Sequence, residues 1–280
     1  MLRPAAATEP ACPADRLGTE RVLALSTKGG FAVGLKSYPR SLDLADHEVV
    51  LTFDDGPWPK TTPLVLAALA HECVRATFFL IGRNAEAYPN LVRRELAQGE
   101  TIGHHTYSHP ILRLLSETKA QENIEKGFVA DDKAAYGSAG AAPKVPFFRF
   151  PGFADTPTLV HWLESRDIGI FGADLWAADW LNMTPDEERK VILARLDKAG
   201  RGILLLHDTK ASTAAMLPAL LRDLKARGYK IVDIVPGDGR PAFRNAPPGW
   251  KSEIEAILAK LLAPHAHGRK QGAHLPESAE

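Results

Sequence analysis

Val49-Val50-Leu51-Thr52-Phe53-Asp54-Asp55-Gly56-Pro57 is an apolar strand that runs into two adjacent carboxylates and then a turn. Successive strand side chains point to opposite faces, so Asp54 and Asp55 can address one centre only from different directions or where the strand has ended. Gly56 and Pro57 end it there, because Gly tolerates the dihedrals of a sharp bend and Pro lacks a ladder donor. The carboxylates then stand at a strand's C-terminal lip, where α/β enzymes keep their chemistry. Taken alone, Asp-Asp-Gly-Pro also reads as a turn whose Asp side chains bond nearby backbone N–H groups. The rest of the chain must decide.

Outward from this stretch, short β-rich runs alternate with amphipathic helical segments. Strands are expected at 48–53, 76–80, 100–104, 147–150, 168–173, 202–207 and 230–234, with helices near 61–71, 84–98, 116–135, 156–165, 186–198 and 211–227. Gly99 and Gly228 read as helix stops. Such alternation predicts an α/β fold with a largely parallel sheet, either closed as a barrel or open and doubly wound. Ahead of it, residues 1–20 read as an extended or disordered lead, and the alternating Phe31, Val33 and Leu35 suggest a short hairpin within 21–46. Beyond it, 250–262 suggests a last helix, and the polar tail from Pro264 reads as mobile. The expected division is an N-terminal extension over 1–46, the main unit over 47–236 and a C-terminal segment over 237–280.

Lys plus Arg and Asp plus Glu both number 34 in the 280 residues, so the chain lacks the basic footprint that nucleic-acid binding demands. Apolar runs such as Leu64 to Ala70 are far shorter than the roughly 20 residues a transmembrane helix needs. No export signal is visible in residues 1–20. Cys12 and Cys73 have no Cys-x-x-Cys spacing; they read equally as one disulfide or as two buried thiols.

The third expected strand delivers His105-Thr106-Tyr107-Ser108-His109-Pro110. A four-residue spacing lets His105 and His109 converge on one ion, and Pro110 argues against a long helix there. Two imidazoles plus the Asp55 carboxylate make a first-row metal site that keeps an open position, as catalytic zinc does. Zn²⁺ leads, with Co²⁺ or Ni²⁺ also suited to these donors. Arg149, Asp179 and His207 all fall at expected C-terminal strand ends, although each alone has an ordinary structural reading.

These motifs resemble the polysaccharide deacetylases of the NodB-homology type, carbohydrate esterase family 4, across residues 49–235. Thr52-Phe53-Asp54-Asp55-Gly56-Pro57 is similar to the family's first motif, which implies Asp54 as catalytic base and Asp55 as metal ligand. His105-Thr106-Tyr107-Ser108-His109 is similar to the second, whose histidines ligate the metal; His104 stands where the family usually has Asn, leaving three nearby imidazoles. Arg149-Phe150-Pro151-Gly152-Phe153 resembles the third with Gly and the aromatic exchanged, and the resemblance gives Gly152 the backbone N–H that holds an oxyanion. Asp179-Trp180 resembles the fourth and Leu205-Leu206-His207 the fifth, implying Trp180 and Leu205 as substrate-pocket walls. The implied fold is a distorted (β/α)₇ barrel with a short N-terminal extension. The implied partner is an N-acetylated glycan, in a periplasmic or extracellular setting.

The residue types suit amide hydrolysis on their own chemistry. An N-acyl bond resists water because its carbonyl is a poor electrophile and its amine a poor leaving group. Asp54 could take a proton from water, and His207, its pKa raised by Asp179, could give one to the departing nitrogen. Two other classes share these residues: a hydrolase of small amides, imides or O-acetyl esters, and a glycan-binding protein without catalysis. The proton-transfer pair argues against the second.

Overall fold

The computed structural model describes residues 12–262. Most of the expected lead at 1–20 and all of the expected tail from Pro264 lie outside the described residues. Four strands come first: β1 (Thr19–Leu25), β2 (Phe31–Val33), β3 (Arg40–Leu42) and β4 (Glu48–Asp54). Next come α1 (Thr62–His71), β5 (Thr77–Leu80), α2 (Gly82–Ala87), α3 (Pro89–Ala97), β6 (Thr101–His104) and α4 (Glu117–Tyr136). They are followed by β7 (Phe147–Phe148), α5 (Pro157–Glu164), β8 (Gly169–Phe171), β9 (Leu175–Trp176) and α6 (Pro185–Ala199). The last described elements are β10 (Gly202–His207), α7 (Ala211–Ala226), β11 (Lys230–Pro236), β12 (Phe243–Asn245) and α8 (Glu253–Leu262).

All seven strands expected from the sequence are present, as β4, β5, β6, β7, β8, β10 and β11, and their pairings are parallel. β4 lies beside β10 along its length, with Asp54 level with His207. From β4 the order runs through β5, β6 and β7 to β8. The chain then continues from β8 through Gly172 and Asp174 into β9, which pairs with β10 and brings the circuit back to its start. This is the distorted α/β barrel, and its parallel pairing puts every strand's C-terminal end on one rim.

β4 is buried on both faces, as a strand between a barrel interior and a layer of helices must be. Val49, Leu51 and Phe53 join the apolar cluster formed with α1 and α7, whereas Val50 joins a different cluster with Phe79, Phe171 and Ile203. The two-residue period thus sends Thr52 and Asp54 to the same side as Val50.

Two expectations need correction. The hairpin within 21–46 does not form: β1 pairs in parallel with β11, β2 in parallel with β8, and β3 antiparallel with β12. Alternating apolar residues identify a strand but not its partner, and here the barrel supplies the partners. The single helix expected at 84–98 is two, α2 and α3, separated by Tyr88 at φ −129 and ψ 52. Pro89 disfavours the helical region for the residue before it. The expected stops at Gly99 and Gly228 adopt positive φ, at 82 and 75. Cys12 and Cys73 are joined in a disulfide, with Cα atoms 5.9 Å apart, that ties the start of the described chain to the end of α1.

Candidate active site

β4 ends at Asp54, and Asp55 takes a left-handed φ of 75. That reversal brings two consecutive carboxylates to one rim. Gly56 has no alternative, since a Cβ there would overlap the Asp208 carboxylate. Asp54 is buried and accepts from Arg149 Nη1 at 2.6 Å. The fully buried guanidinium also donates from Nη1 to Thr52 Oγ1 at 2.9 Å, from Nε to the Phe171 carbonyl at 2.9 Å and from Nη2 to the Gly172 carbonyl at 3.0 Å. Arg149 therefore bridges β4 to the end of β8 and fixes one oxygen of Asp54.

His105 and His109 lie on the loop after β6, where Thr106 and His109 both adopt positive φ, at 70 and 57. The loop is an irregular turn, and it sets the two rings 4.9 Å apart at their centroids. Their Nε2 atoms approach Asp55 Oδ1 at 3.6 Å and 3.3 Å. His105 Nδ1 lies 2.8 Å from the Arg149 carbonyl, which can only accept, so Nδ1 carries the hydrogen and Nε2 keeps its lone pair. Burial pushes His105 down to about 4, so its imidazole is neutral at pH 7. Burial would raise Asp55, but His109, His207 and His105 hold its carboxyl below the ordinary range. Asp55 Oδ1 is buried with no hydrogen-bond partner. One atom from each of Asp55, His105 and His109 lies within 4.8 Å of the others. A buried bare carboxylate oxygen facing two lone pairs fits a divalent cation, and the donor set suits Zn²⁺, Co²⁺ or Ni²⁺.

His207 ends β10, opposite Asp54. Its Nδ1 lies 2.8 Å from Asp179 Oδ1, its backbone N–H donates to Asp179 Oδ2 at 2.7 Å, and its Nε2 is 3.8 Å from Asp55 Oδ2. Burial would lower the imidazole pKa, yet Asp179, with Asp55 and Asp54 behind it, raises it to about 10. Asp179 Oδ2 also accepts from Thr213 Oγ1 at 2.9 Å, and the same hydroxyl lies 2.8 Å from Glu188 Oε1. A hydroxyl has one proton, so only one of these carboxyls can receive it. Asp179 also accepts twice from His207, and Glu188, buried and with its pKa raised by that burial, shares the Thr213 hydroxyl with it.

The other expected residues are placed as follows. Gly152 sits at φ 57 in the exposed turn after Arg149, and Phe153 beside it is buried. Trp180 is 43% exposed, with its ring edge-on to His207 at 6.1 Å and to Trp176 at 5.6 Å. Leu205 is buried in a cluster with Phe153, Ala154, Ala173, Ile254 and Leu258. His104 is no third imidazole of the site. As the preceding strand residue it points the other way, where its Nδ1 meets Asp131 Oδ2 at 2.8 Å and its ring packs edge-on to Phe128. Burial pushes its pKa down to about 3.

Sequence reasoning missed Asp208, Thr213 and Glu188, whereas the last helix expected at 250–262 is present as α8. Asp208 is fully buried under the Gly56 turn, held by the Thr62 hydroxyl, which also receives the Trp58 N–H at 2.7 Å. Its place directly after His207 was a signal. Nothing local marks Glu188, one of three consecutive acidic residues at the start of α6.

One barrel rim thus carries a His/His/Asp cluster that could hold a metal ion, beside the Asp54–Arg149 and His207–Asp179 pairs. The polysaccharide deacetylase family model matches residues 42–168. A peptidoglycan-N-acetylglucosamine deacetylase of Bacillus cereus is 32% identical over 191 residues, covering 67% of this chain and 66% of that protein. The peptidoglycan-N-acetylglucosamine deacetylase PgdA of Listeria monocytogenes is 34% identical over 191 residues, covering 68% of this chain and 38% of that protein. Among solved structures, the peptidoglycan deacetylase Bd3279 of Bdellovibrio bacteriovorus superposes with a TM-score of 0.71 at 28% identity, covering 80% of this chain and 61% of that one. The chain thus spans less than two thirds of each of these proteins. It belongs to the polysaccharide deacetylase family.

Proposed function

We propose that the protein hydrolyses the acetamide of N-acetylglucosamine-type residues in a glycan, leaving acetate and a free amine. The observation that carries this is the pairing of two opposite proton-transfer groups, Asp54 bound to Arg149 and His207 bound to Asp179, on either side of the Asp55–His105–His109 cluster. Asp55, His105 and His109 would hold a divalent cation such as Zn²⁺, which would supply Lewis acidity toward the acyl oxygen and the attacking water. Arg149 aims Asp54 and leaves its second oxygen toward the centre, where it removes the proton of that water. His207 keeps a proton near neutral pH because Asp179 accepts from its Nδ1, and Nε2 delivers that proton to the departing nitrogen. Gly152 offers a backbone N–H toward the developing oxyanion, Trp180 offers apolar surface to the sugar ring, and the buried Leu205 lies beneath the position of the acyl methyl.

A peptidoglycan substrate is supported by the names of the two relatives and of the superposed structure. Such a substrate supports a site of action outside the cytoplasm. The deciding experiment measures metal content of the purified protein with acetate release from N-acetylglucosamine oligomers and from peptidoglycan. Activity should vanish on chelation and return with zinc. Bound metal without acetate from either substrate would move the reading to another acyl compound, and absence of metal would move it to a glycan-binding protein.

A further inference from the structure

Resting on that deacetylase reading, we propose that α8 is the outer wall of the acyl pocket, and that Ile254 and Leu258 set the size of the acyl group the site accepts. A substrate whose scissile bond lies between Asp54 and His207 must place its acyl tail against the barrel rim near them. On β10, Leu205 is two residues before His207 and so shares its face; the register sets it level with Thr52, below Asp54. Leu205 is therefore the apolar side chain directly beneath the acid. It is 2% exposed because it packs in one apolar cluster, to which α8 contributes Ile254 and Leu258. These two lie four residues apart, on one face of α8. Phe153, from the turn that carries Gly152, completes the same cluster, with Trp176 packed against it.

The helix is anchored as a wall would have to be. The Glu253 N–H donates to the Lys36 carbonyl at 3.1 Å, and the Lys36 ammonium reaches the Glu253 carboxylate at 2.6 Å while lying 4.8 Å from the centre of the Trp176 ring. In the same first turn Glu255 accepts from Arg113 Nη2 at 2.7 Å, and Arg113 Nε donates to the Asp155 carbonyl at 2.7 Å. Arg113 follows His109 by four residues and Asp155 follows Phe153 by two, so one guanidinium ties α8 to both the histidine loop and the Gly152 turn.

The test uses the full chain and three forms of one glucosamine oligomer, N-acetylated, N-propionylated and N-butyrylated. Ile254→Ala and Leu258→Ala should each raise the butyryl-to-acetyl ratio of kcat/KM by about tenfold or more, the size of effect one or two methylenes have in an apolar pocket. Ile254→Val, a milder change that keeps the packing, should raise the propionyl-to-acetyl ratio by a smaller factor. Acyl release with all ratios unmoved in the folded variants overturns the wall and leaves the deacetylase reading standing. No acyl release by metal-loaded wild type from any of the three overturns both.

Discussion

Asp179→Asn is the most informative single change, because one carboxylate serves the imidazole, the backbone and a hydroxyl at once. Oδ1 takes the His207 ring and Oδ2 takes both the His207 N–H and the Thr213 hydroxyl. An amide has one oxygen, so its NH₂ group must face a donor on one side, forfeiting a charge-assisted hydrogen bond worth roughly 1.5–3 kcal/mol. The electrostatic consequence is larger. His207 stands at about 10 against an ordinary 6.5, a difference of 3.5 pH units (10 − 6.5) or about 5 kcal/mol, and Asp179 is the largest cause raising it against burial. As a general acid, His207 is active while protonated, so activity survives below its folded pKa and is lost as pH rises through it. With Asn, the basic limb of kcat/KM should fall by at least about two pH units and kcat by at least about a hundredfold. A cation held beside Asp55 would draw that limb below 10 in both proteins, so the displacement between them is the quantity to measure. The same shift contributes to stability: it is fully present below about pH 6.5 and is lost as pH rises through about 10, so thermal melts of the two proteins should converge at high pH. Acetate release from an N-acetylglucosamine oligomer between pH 6 and 10.5 gives the profile. A basic limb that keeps its position while only its height drops would refute His207 as the titrating acid.

Asp54→Asn should lose about a hundredfold or more in kcat while metal content stays unchanged, because Asp55, His105 and His109 remain; atomic absorption and acetate release check both halves. Thr213→Val should lower kcat about fivefold by removing one donor to Asp179, whereas Glu188→Gln, which still has a donor to offer Thr213, should stay within about twofold. A strong loss in Glu188→Gln would show that Glu188 acts as an anion. Glu100 is raised to about 8, chiefly by burial, so the folded state holds a proton that the unfolded state releases near pH 4.5. Its contribution to stability is full below about pH 4.5 and erodes as pH rises to about 8. Glu100→Gln should therefore melt higher than wild type at pH 8.5 and alike at pH 4.5, and equal differences at both values would refute this.

The strands and rim residues were legible in the sequence for a physical reason. A parallel barrel strand is short, apolar on both faces and interrupted at its C-terminal end by the polar residues that do the chemistry, so Val49 to Asp55 and Ile203 to His207 carry both the fold and the site in one run. The barrel alternative followed only from the resemblance, because closure depends on β9 returning to β10, and β9 is two residues long. The false hairpin has the same origin. Phe31 and Val33 alternate as a hairpin strand would, but the partner that satisfies them is β8, more than a hundred residues away.

What stayed hidden is the support beneath the rim, and it was hidden because it is made of pairings between elements. Asp208, Glu188 and Thr213 look like ordinary surface polar residues on paper, yet all three are buried, and each touches a strand end or the group that orients one. Burying a carboxyl is costly unless it is neutralised or hydrogen-bonded. Asp208, whose pKa burial raises to about 7, meets that condition through the Thr62 hydroxyl, and Glu188 does so through Thr213. These contacts immobilise the turn that presents Asp55 and the carboxylate that charges His207. Asp54 and His207 stand level on neighbouring strands, so the proposed division of base and acid between them depends on each keeping its own partner, Arg149 for one and Asp179 for the other. The buried hydrogen bonds of Asp208, Glu188 and Thr213 hold the turn and the carboxylate on which that pairing rests, and so the hidden residues fix the geometry of the legible ones.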